Sequence, residues 1–287
     1  MSLNVLTVDV EDYFHVSAFE SIVKRSDWPS YEQRVGANTR KILDMFDEYE
    51  VKGTFFILGW VAERDPGLVR EIAVRGHELA CHGYQHNRVR EMSPAEFRDD
   101  VSRAKAAIED AAGLPIHGYR GASFSVTRET FWYLDILFDL GFAFDSSIFP
   151  IRHDHYGIPD FPRFPLNMKT SNGGQIFEFP LSTRRWMGMN IPIAGGGYLR
   201  QLPISFIRSG IRHLNRKERG PAVIYFHPWE IDPEQPRIAG ADYLASLRHY
   251  RNLEKTEGRI RKLLAEFPFV PAGTWLELHK TRRSYAD

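Results

Sequence analysis

Short runs of β-branched and aromatic residues alternate along this chain with stretches whose apolar residues recur at helical spacing. "LNVLTVDV" reads as a buried strand, and Thr39, Ile42, Leu43, Phe46 and Tyr49 then share one helical face. "GTFFILG" is another strand, followed by a helix through Val69, Ile72 and Ala73, and "HELACH" is a short third strand. Ser93-Pro94-Ala95-Glu96 combines an N-cap, a proline at the first helical position and a capping glutamate. Phe97, Val101, Ala104, Ile108 and Ala111 supply the apolar face of the helix it starts. "IHGYR", a helix from Thr127, "FAFD", "AVIYFH", one long helix across residues 242–266 and "FPFVP" complete the series. Parallel strands need crossovers long enough to hold a helix, so this alternation predicts a parallel sheet with helices outside it. Roughly six or seven such units fit a closed or distorted barrel better than an open sheet. Residues 150–200, rich in Pro, Gly and aromatics, break the rhythm and read as an insertion of hairpins and loops. The "GGG" at 195–197 has no Gly-Lys-Ser/Thr after it and reads as a flexible turn.

At 287 residues the chain can bury a large core, and the whole span 1–287 reads as one domain. Its 37 lysines and arginines balance 37 aspartates and glutamates, which does not favour a nucleic-acid footprint. Cys81 is the one cysteine, so there is no internal disulfide framework. No apolar run approaches the roughly 20 residues of a membrane span. A strand-like segment begins at once, leaving no room for a signal peptide, and the expectation is a cytoplasmic protein.

Chemistry in barrel and open α/β folds collects at the carboxyl ends of the strands, and the polar residues cluster there. Asp9, Glu11 and Asp12 follow the first strand, and His82 and His86 in "CHGYQH" follow the third. Arg120 follows "IHGY", Asp145 follows "FAF" and His227 follows "VIYF". Singly, each has an ordinary structural reading as a helix cap, an ion-pair partner or a core histidine. Jointly, two imidazoles and a carboxylate from separate strand ends suit a catalytic divalent site with an open position for water. His77 and His15 read as structural, with His15 a possible substrate contact. Tyr13, Phe14, Trp186, Tyr198 and Trp229 are candidates for stacking on sugar rings, although aromatics more often pack a core.

"TVDVED", "GHELACHGYQH", "YRGASFS" and "IYFHPWE" resemble, in order, the motifs of the polysaccharide deacetylases, the NodB-like group or carbohydrate esterase family four. "DVEDYF" and "HPWEIDPEQPR" resemble a bacterial subgroup found with exopolysaccharide synthesis and exosortase systems. The resemblance implies a distorted (β/α) barrel and a metal-dependent hydrolase that removes N-acetyl groups from an amino-sugar polymer or its lipid-linked precursor. It implies His82 and His86 as metal ligands, Asp9 as general base and Arg120 as the arginine that orients it. It further implies backbone N–H near Ser123 for the oxyanion, and His227 as the acid that protonates the leaving amine. The family's adjacent Asp-Asp is stretched here to Asp-Val-Glu-Asp, so the third ligand is Glu11 or Asp12, with Asp-x-Glu variants favouring Glu11. Ala122 stands where the arginine motif has proline. Ile148-Phe149 stands where an aspartate before an aromatic tunes the histidine. Asp145 keeps the first acid of that motif, with Glu178 and Glu230 as other partners for His227.

An imidazole-carboxylate site accepts Zn²⁺, Co²⁺ or Ni²⁺, with Zn²⁺ expected, and the implied partner is an N-acetylated glycan. Absence of a leader places the expected action at the cytoplasmic face of the membrane. An allantoinase-like amide hydrolase and a non-catalytic glycan-binding subunit are the competing readings. Stoichiometric bound metal separates the last from an enzyme.

Overall fold

The structure, a computed structural model, describes residues 2–153 and 156–283. In chain order the strands are β1 (Asn4–Val10), β2 (Thr54–Ile57), β3 (Glu78–Cys81), β4 (Gly118–Tyr119), β5 (Phe144–Asp145), β6 (Leu166–Lys169), β7 (Gln175–Glu178), β8 (Thr183–Trp186), β9 (Met189–Pro192), β10 (Val223–Phe226) and β11 (Phe269–Val270). The helices are α1 (Val35–Glu48), α2 (Gly59–Arg64), α3 (Pro66–Val74), α4 (Pro94–Ala112), α5 (Tyr133–Asp139), α6 (Gly197–Gln201), α7 (Ile204–His213), α8 (Tyr243–Tyr250), α9 (Leu253–Leu264) and α10 (Ala272–Arg283). Among the described residues nine strands form one sheet, ordered β10-β1-β2-β3-β4-β5-β7-β6, with β11 also on β1. All its pairings are parallel except β6 with β7. No described helix is long and apolar enough to cross a membrane.

Side-chain alternation splits the apolar residues into two cores. Leu6, Val8, Val10, Phe55, Ile57, Leu79 and Cys81 face outward into the large core beneath the helices. Val5, Phe56, Ala80, Phe144, Phe179 and Val223 face inward and pack with Trp275 and Leu276 of α10. Thr7 and Asp9 share the inward parity of Val5, and Tyr225 that of Val223. The interior is therefore apolar at one end and polar at the other, the end where the parallel strands finish.

The distorted barrel is what the alternation predicts, although its hydrogen-bonded ladder does not close. Its β10 edge is covered instead by the chain beyond β7. Ser182 N–H donates to Val223 O at 3.4 Å, and Tyr225 N–H donates to Ala194 O at 2.9 Å. The insertion expected over 150–200 is only partly one, since β7 pairs with β5 inside the main sheet. The true excursion is the separate β8–β9 hairpin. The glycine run is not a flexible turn, because Gly195 bridges Tyr225 across the β10 edge. A Cβ there would lie 1.7 Å from Tyr225 O, so only glycine admits this approach.

The single helix expected over 242–266 is two helices. The chain breaks at Arg251 and at Asn252, which takes a left-handed φ of 59°. Arg200 competes for the end of α8, donating from Nη1 to the carbonyls of Arg248 and His249 at 2.8 and 2.5 Å. Thr127 opens one 3-10 turn over Arg128–Thr130 before α5, rather than a continuous helix.

Gly195→Ala should destabilise the protein by roughly 2 kcal/mol or more, since overpacking against backbone cannot relax. Thermal unfolding checks this, and an unchanged midpoint would mean that the seal at the β10 edge is dispensable.

Candidate active site

Asp9 lies on β1, and Glu11, His82, Arg120 and His227 lie just beyond the carboxyl ends of β1, β3, β4 and β10. A cavity of about 700 Å³ opens over these ends and is lined by Asp9, Glu11, His82, His86, Ser123 and His227 among others. Arg120 lies beneath its floor, fully buried. Its Nη1 donates to Asp9 Oδ1 at 2.5 Å and to Thr7 Oγ1 at 2.8 Å. Nε reaches Ser146 O at 3.0 Å, Nη2 reaches Ser146 Oγ at 2.8 Å, and the guanidinium carbon sits 4.1 Å from the Phe56 ring centroid. A charge this deep is tolerated because it is paired and its donors are engaged.

Glu11, His82 and His86 converge, with His82 Nε2 and His86 Nε2 at 2.8 and 3.1 Å from Glu11 Oε1. His82 Nδ1 lies 2.8 Å from Arg120 O. A carbonyl only accepts, so Nδ1 carries the hydrogen and Nε2 turns its lone pair to the Glu11 carboxylate. Lone pair against carboxylate requires a cation between them, whether a proton or a metal ion. Burial opposes the charged form of His82, but the bond to Glu11 and the charges of Asp9 and Glu11 push its pKa up. Burial alone would raise Glu11, yet His86, His227 and the bond from His82 hold it well below the usual carboxylate range. The donor set thus fits a divalent ion on chemical grounds, with the His82 orientation fixed from behind by a backbone carbonyl. Asp9, Glu11 and His227 form a second convergence among the described residues. It shares Glu11, but Asp9 is already held by Arg120 and His227 by Glu230.

His86 is held in left-handed backbone, φ 56°, by a loop pinned on both sides. Tyr84 N–H donates to Asp100 Oδ2 at 2.9 Å, and Arg25 Nε donates to Gln85 O at 2.8 Å. Ser123 also lies in the left-handed region, φ 55° and ψ 21°, and its hydroxyl meets that of Ser17. Non-glycine residues held there store strain that the surroundings must maintain, a pattern common at functional sites.

Across the cavity, His227 Nδ1 lies 3.0 Å from Glu230 Oε2, and Glu230 Oε1 accepts from Arg200 Nε at 2.6 Å. The imidazole stacks on Trp229 at 5.2 Å, and Nε2 lies 3.9 Å from Asp9 Oδ2. Burial disfavours the His227 cation, but Glu11, the bond to Glu230 and Asp9 raise its pKa to about 9. Glu230, against the penalty of burial, is brought down to about 2 by Arg200 and His227.

Two expectations need correction. Asp12 is outside the ligand cluster. Its Oδ1 accepts Tyr13 N–H at 3.0 Å, and its Oδ2 accepts Arg34 and Val35 N–H at 2.7 and 2.9 Å, fastening the start of α1. Asp145 is not the partner of His227. Next to inward-facing Phe144 it takes the opposite parity and points to α5, accepting the Tyr133 hydroxyl on Oδ2 and the Ser147 hydroxyl on Oδ1 at 2.5 Å. Glu178 pairs with it there and is pushed well up, first by burial and then by the Asp145 charge. Asp145 supports the Arg120 loop instead, because Ser147 Oγ accepts Gly121 N–H at 2.7 Å.

His15 is buried against Trp28, its ring centroid 4.3 Å away, and borders a smaller cavity of about 230 Å³ with His86. Tyr13 and Phe14 are core residues, and Trp186 is exposed on the hairpin, so of the proposed stacking aromatics only Trp229 lines the main cavity. Arg200 was not foreseen. It sits on the short helix α6, 27 residues before His227, with no local spacing to tie the two.

These features define a distorted, unclosed barrel with a polar constellation at the carboxyl ends of its strands. Residues 27–142 match the polysaccharide deacetylase family model, and residues 146–277 match a second one described as a domain of unknown function. Over residues 27–142 the chain is thus similar to the polysaccharide deacetylases. It is 36% identical over 75 residues to a peptidoglycan-N-acetylglucosamine deacetylase of Bacillus cereus, covering 26% of this chain and 27% of that protein. It is 30% identical over 99 residues to a chitooligosaccharide deacetylase of Bradyrhizobium, covering 34% and 43%. The chain thus spans under half the length of these curated relatives. A Mycobacterium smegmatis structure described as a candidate polysaccharide deacetylase superimposes with TM-score 0.61 at 22% identity, over 99% of this chain and 91% of that one. A peptidoglycan N-acetylglucosamine deacetylase structure gives TM-score 0.51 at 15% identity, over 95% and 87%. Both likenesses concern the fold.

Glu11→Ala should abolish stoichiometric metal binding. Asp12→Ala should keep the metal but lower stability by about 1 kcal/mol through loss of its cap. Metal analysis and thermal melts of the two variants decide between the carboxylates, and metal loss in Asp12→Ala alone would reverse the assignment.

Proposed function

We propose that this chain is a divalent-metal-dependent hydrolase that removes N-acetyl groups from amino sugars of a polysaccharide or of its lipid-linked precursor. The observation that carries this reading is the meeting, in one cavity, of an imidazole-carboxylate triad, an arginine-held carboxylate and a carboxylate-held histidine. We read 1–287 as a single catalytic unit, because the sheet runs unbroken through both family matches. His82, His86 and Arg120 come from the first matched segment; Arg200, His227 and Glu230 come from the second. The region of unknown function would then supply the acid arm.

Glu11, His82 and His86 would hold the ion, with Zn²⁺ the first choice and Co²⁺ or Ni²⁺ alternatives. A divalent ion there would act as a Lewis acid toward an acetamide carbonyl and toward water. Asp9 has Oδ1 committed to Arg120, which leaves Oδ2 facing the cavity to take a proton from an attacking water. Backbone N–H at Ser123 would stabilise the developing oxyanion. His227, its Nδ1 tied to Glu230, presents Nε2 to the cavity and would deliver a proton to the leaving nitrogen. An amide nitrogen leaves only when protonated, so this last step separates amide from activated ester. For the compartment we retain the cytoplasm, with action at the inner membrane face; native protein found only in the extracellular fraction would overturn that placement.

Acetate release from a panel of N-acetylated glycans should occur and should stop with chelator; no release from any of them would sink the reading. His227→Ala should slow amide cleavage far more than cleavage of an aryl acetate ester, at unchanged metal content. With a pKa raised to about 9, His227 is protonated at neutral pH, and activity should fall as it deprotonates on the alkaline side. A cation beside Glu11 offsets that carboxylate's share and leaves Glu230 as the main support. Glu230→Gln should therefore move the alkaline limb to lower pH. Equal damage to ester and amide, or an unmoved limb, would assign the acid elsewhere.

A further inference from the structure

The β8–β9 hairpin, Thr183–Pro192, reads "TRRWMGMNIP" and contains no acidic residue. Its tip is strongly apolar and faces solvent: Trp186 is 59% exposed, Met187 80% and Met189 59%. Arg185 beside them is exposed too and makes no ion pair among the described residues. Trp186 pairs directly with Met189, so Met187-Gly188 is a two-residue loop, with φ of 48° and 81°. Such a loop is best served by Asn-Gly or Asp-Gly, because both positions need left-handed backbone. Methionine at the first position strains the backbone and exposes apolar surface, so it does not serve the fold.

The base of the hairpin is fixed while its tip is bare. Thr183 is buried, Arg163 Nε donates to Thr183 Oγ1 at 3.1 Å, and Ile193 N–H donates to Ser182 O at 3.0 Å. Asn190 Nδ2 donates to Pro150 O at 2.8 Å, tying the hairpin to the segment whose Tyr156 lines the main cavity.

We propose that this hairpin docks the protein on an anionic lipid bilayer, with Trp186, Met187 and Met189 entering the headgroup region. Tryptophan favours that interface, aliphatic side chains gain by leaving water, and the exposed Arg185 meets acidic headgroups. Methionine has no flat face for a sugar ring, and the hairpin has no acids with which a second copy could pair its arginines. The inference extends the proposed action on a lipid-linked chain. Vesicle binding and acetate release from a soluble oligosaccharide are separate readouts, so either can fail alone.

The test is co-sedimentation of the full chain with vesicles of phosphatidylcholine, with and without phosphatidylglycerol. The wild type should bind the anionic vesicles. Trp186→Ser, Met187→Ser and Met189→Ser together should weaken binding at least tenfold or so, with acetate release from a soluble substrate unchanged as the check on folding. Arg185→Gln should weaken binding to anionic vesicles only. Of the six tryptophans, Trp28, Trp60, Trp229 and Trp275 are at most 6% exposed, Trp132 is partly buried and Trp186 is 59% exposed, so the quenching by brominated lipid that Trp186→Ser abolishes should report insertion of the hairpin. No binding, or binding indifferent to the triple variant, would overturn the proposal. So would a hairpin-dependent dimer in sedimentation velocity, or hairpin-dependent capture of soluble glycan in place of vesicles.

Discussion

Arg120 holds the two halves of the site together through two different parts of itself. Its guanidinium clamps Asp9 inside the barrel, while its carbonyl takes the Nδ1 hydrogen of His82 and so aims that ring at Glu11. Its own N–H is fixed by Cys81 O at 2.9 Å, one residue before His82. Burying this charge is tolerable only because Asp9, Thr7 and Ser146 receive it. Removing one partner of such a pair typically costs about 3–5 kcal/mol, since the other is left buried and uncompensated. The carboxylate, the imidazole and the strand ends that carry them are therefore coupled through one residue on β4's exit.

The same polar interior explains how so many acids sit close together. Asp9 faces Arg120, Glu11 faces two imidazoles, and Glu230 lies between Arg200 and His227. Each carboxylate has its own positive partner, so none relies on solvent. Asp145 and Glu178 lie on the other face of the sheet, where burial raises both carboxyl groups. Their work is structural, through Ser147 and the Arg120 loop. Two groups of carboxyls a few residues apart in the strands thus have opposite electrostatic regimes, separated by side-chain parity.

Much of this was legible in the sequence because it is local. Alternating strands and helices define the barrel, and chemistry at strand ends picks out Asp9, Glu11, His82, Arg120 and His227 without coordinates. Parity was the signal left unused: counting from Val5 puts Asp9 inward, and counting from Phe144 puts Asp145 outward. Asp12 looked like a ligand because its job, capping α1 from 22 residues away, is a long-range backbone contact that spacing does not encode. Arg200 was missed for the same reason. It breaks the predicted long helix by capturing the carbonyls that end α8, while also bonding Glu230. The capping-box spacing of His227 and Glu230 was visible in "HPWE", but Glu230 stood beside Asp145 and Glu178 until geometry separated them.

The most direct test of the account is a double-mutant cycle on kcat/KM for acetate release, using Asp9→Asn, Arg120→Ala and the pair combined. If Arg120 acts by presenting Asp9, each single change should lower kcat/KM by a factor on the order of 10² or more. The double variant should then be little worse than the poorer single, as for residues that work as a unit. Losses that multiply in the double variant would contradict the account and give Arg120 a task independent of Asp9.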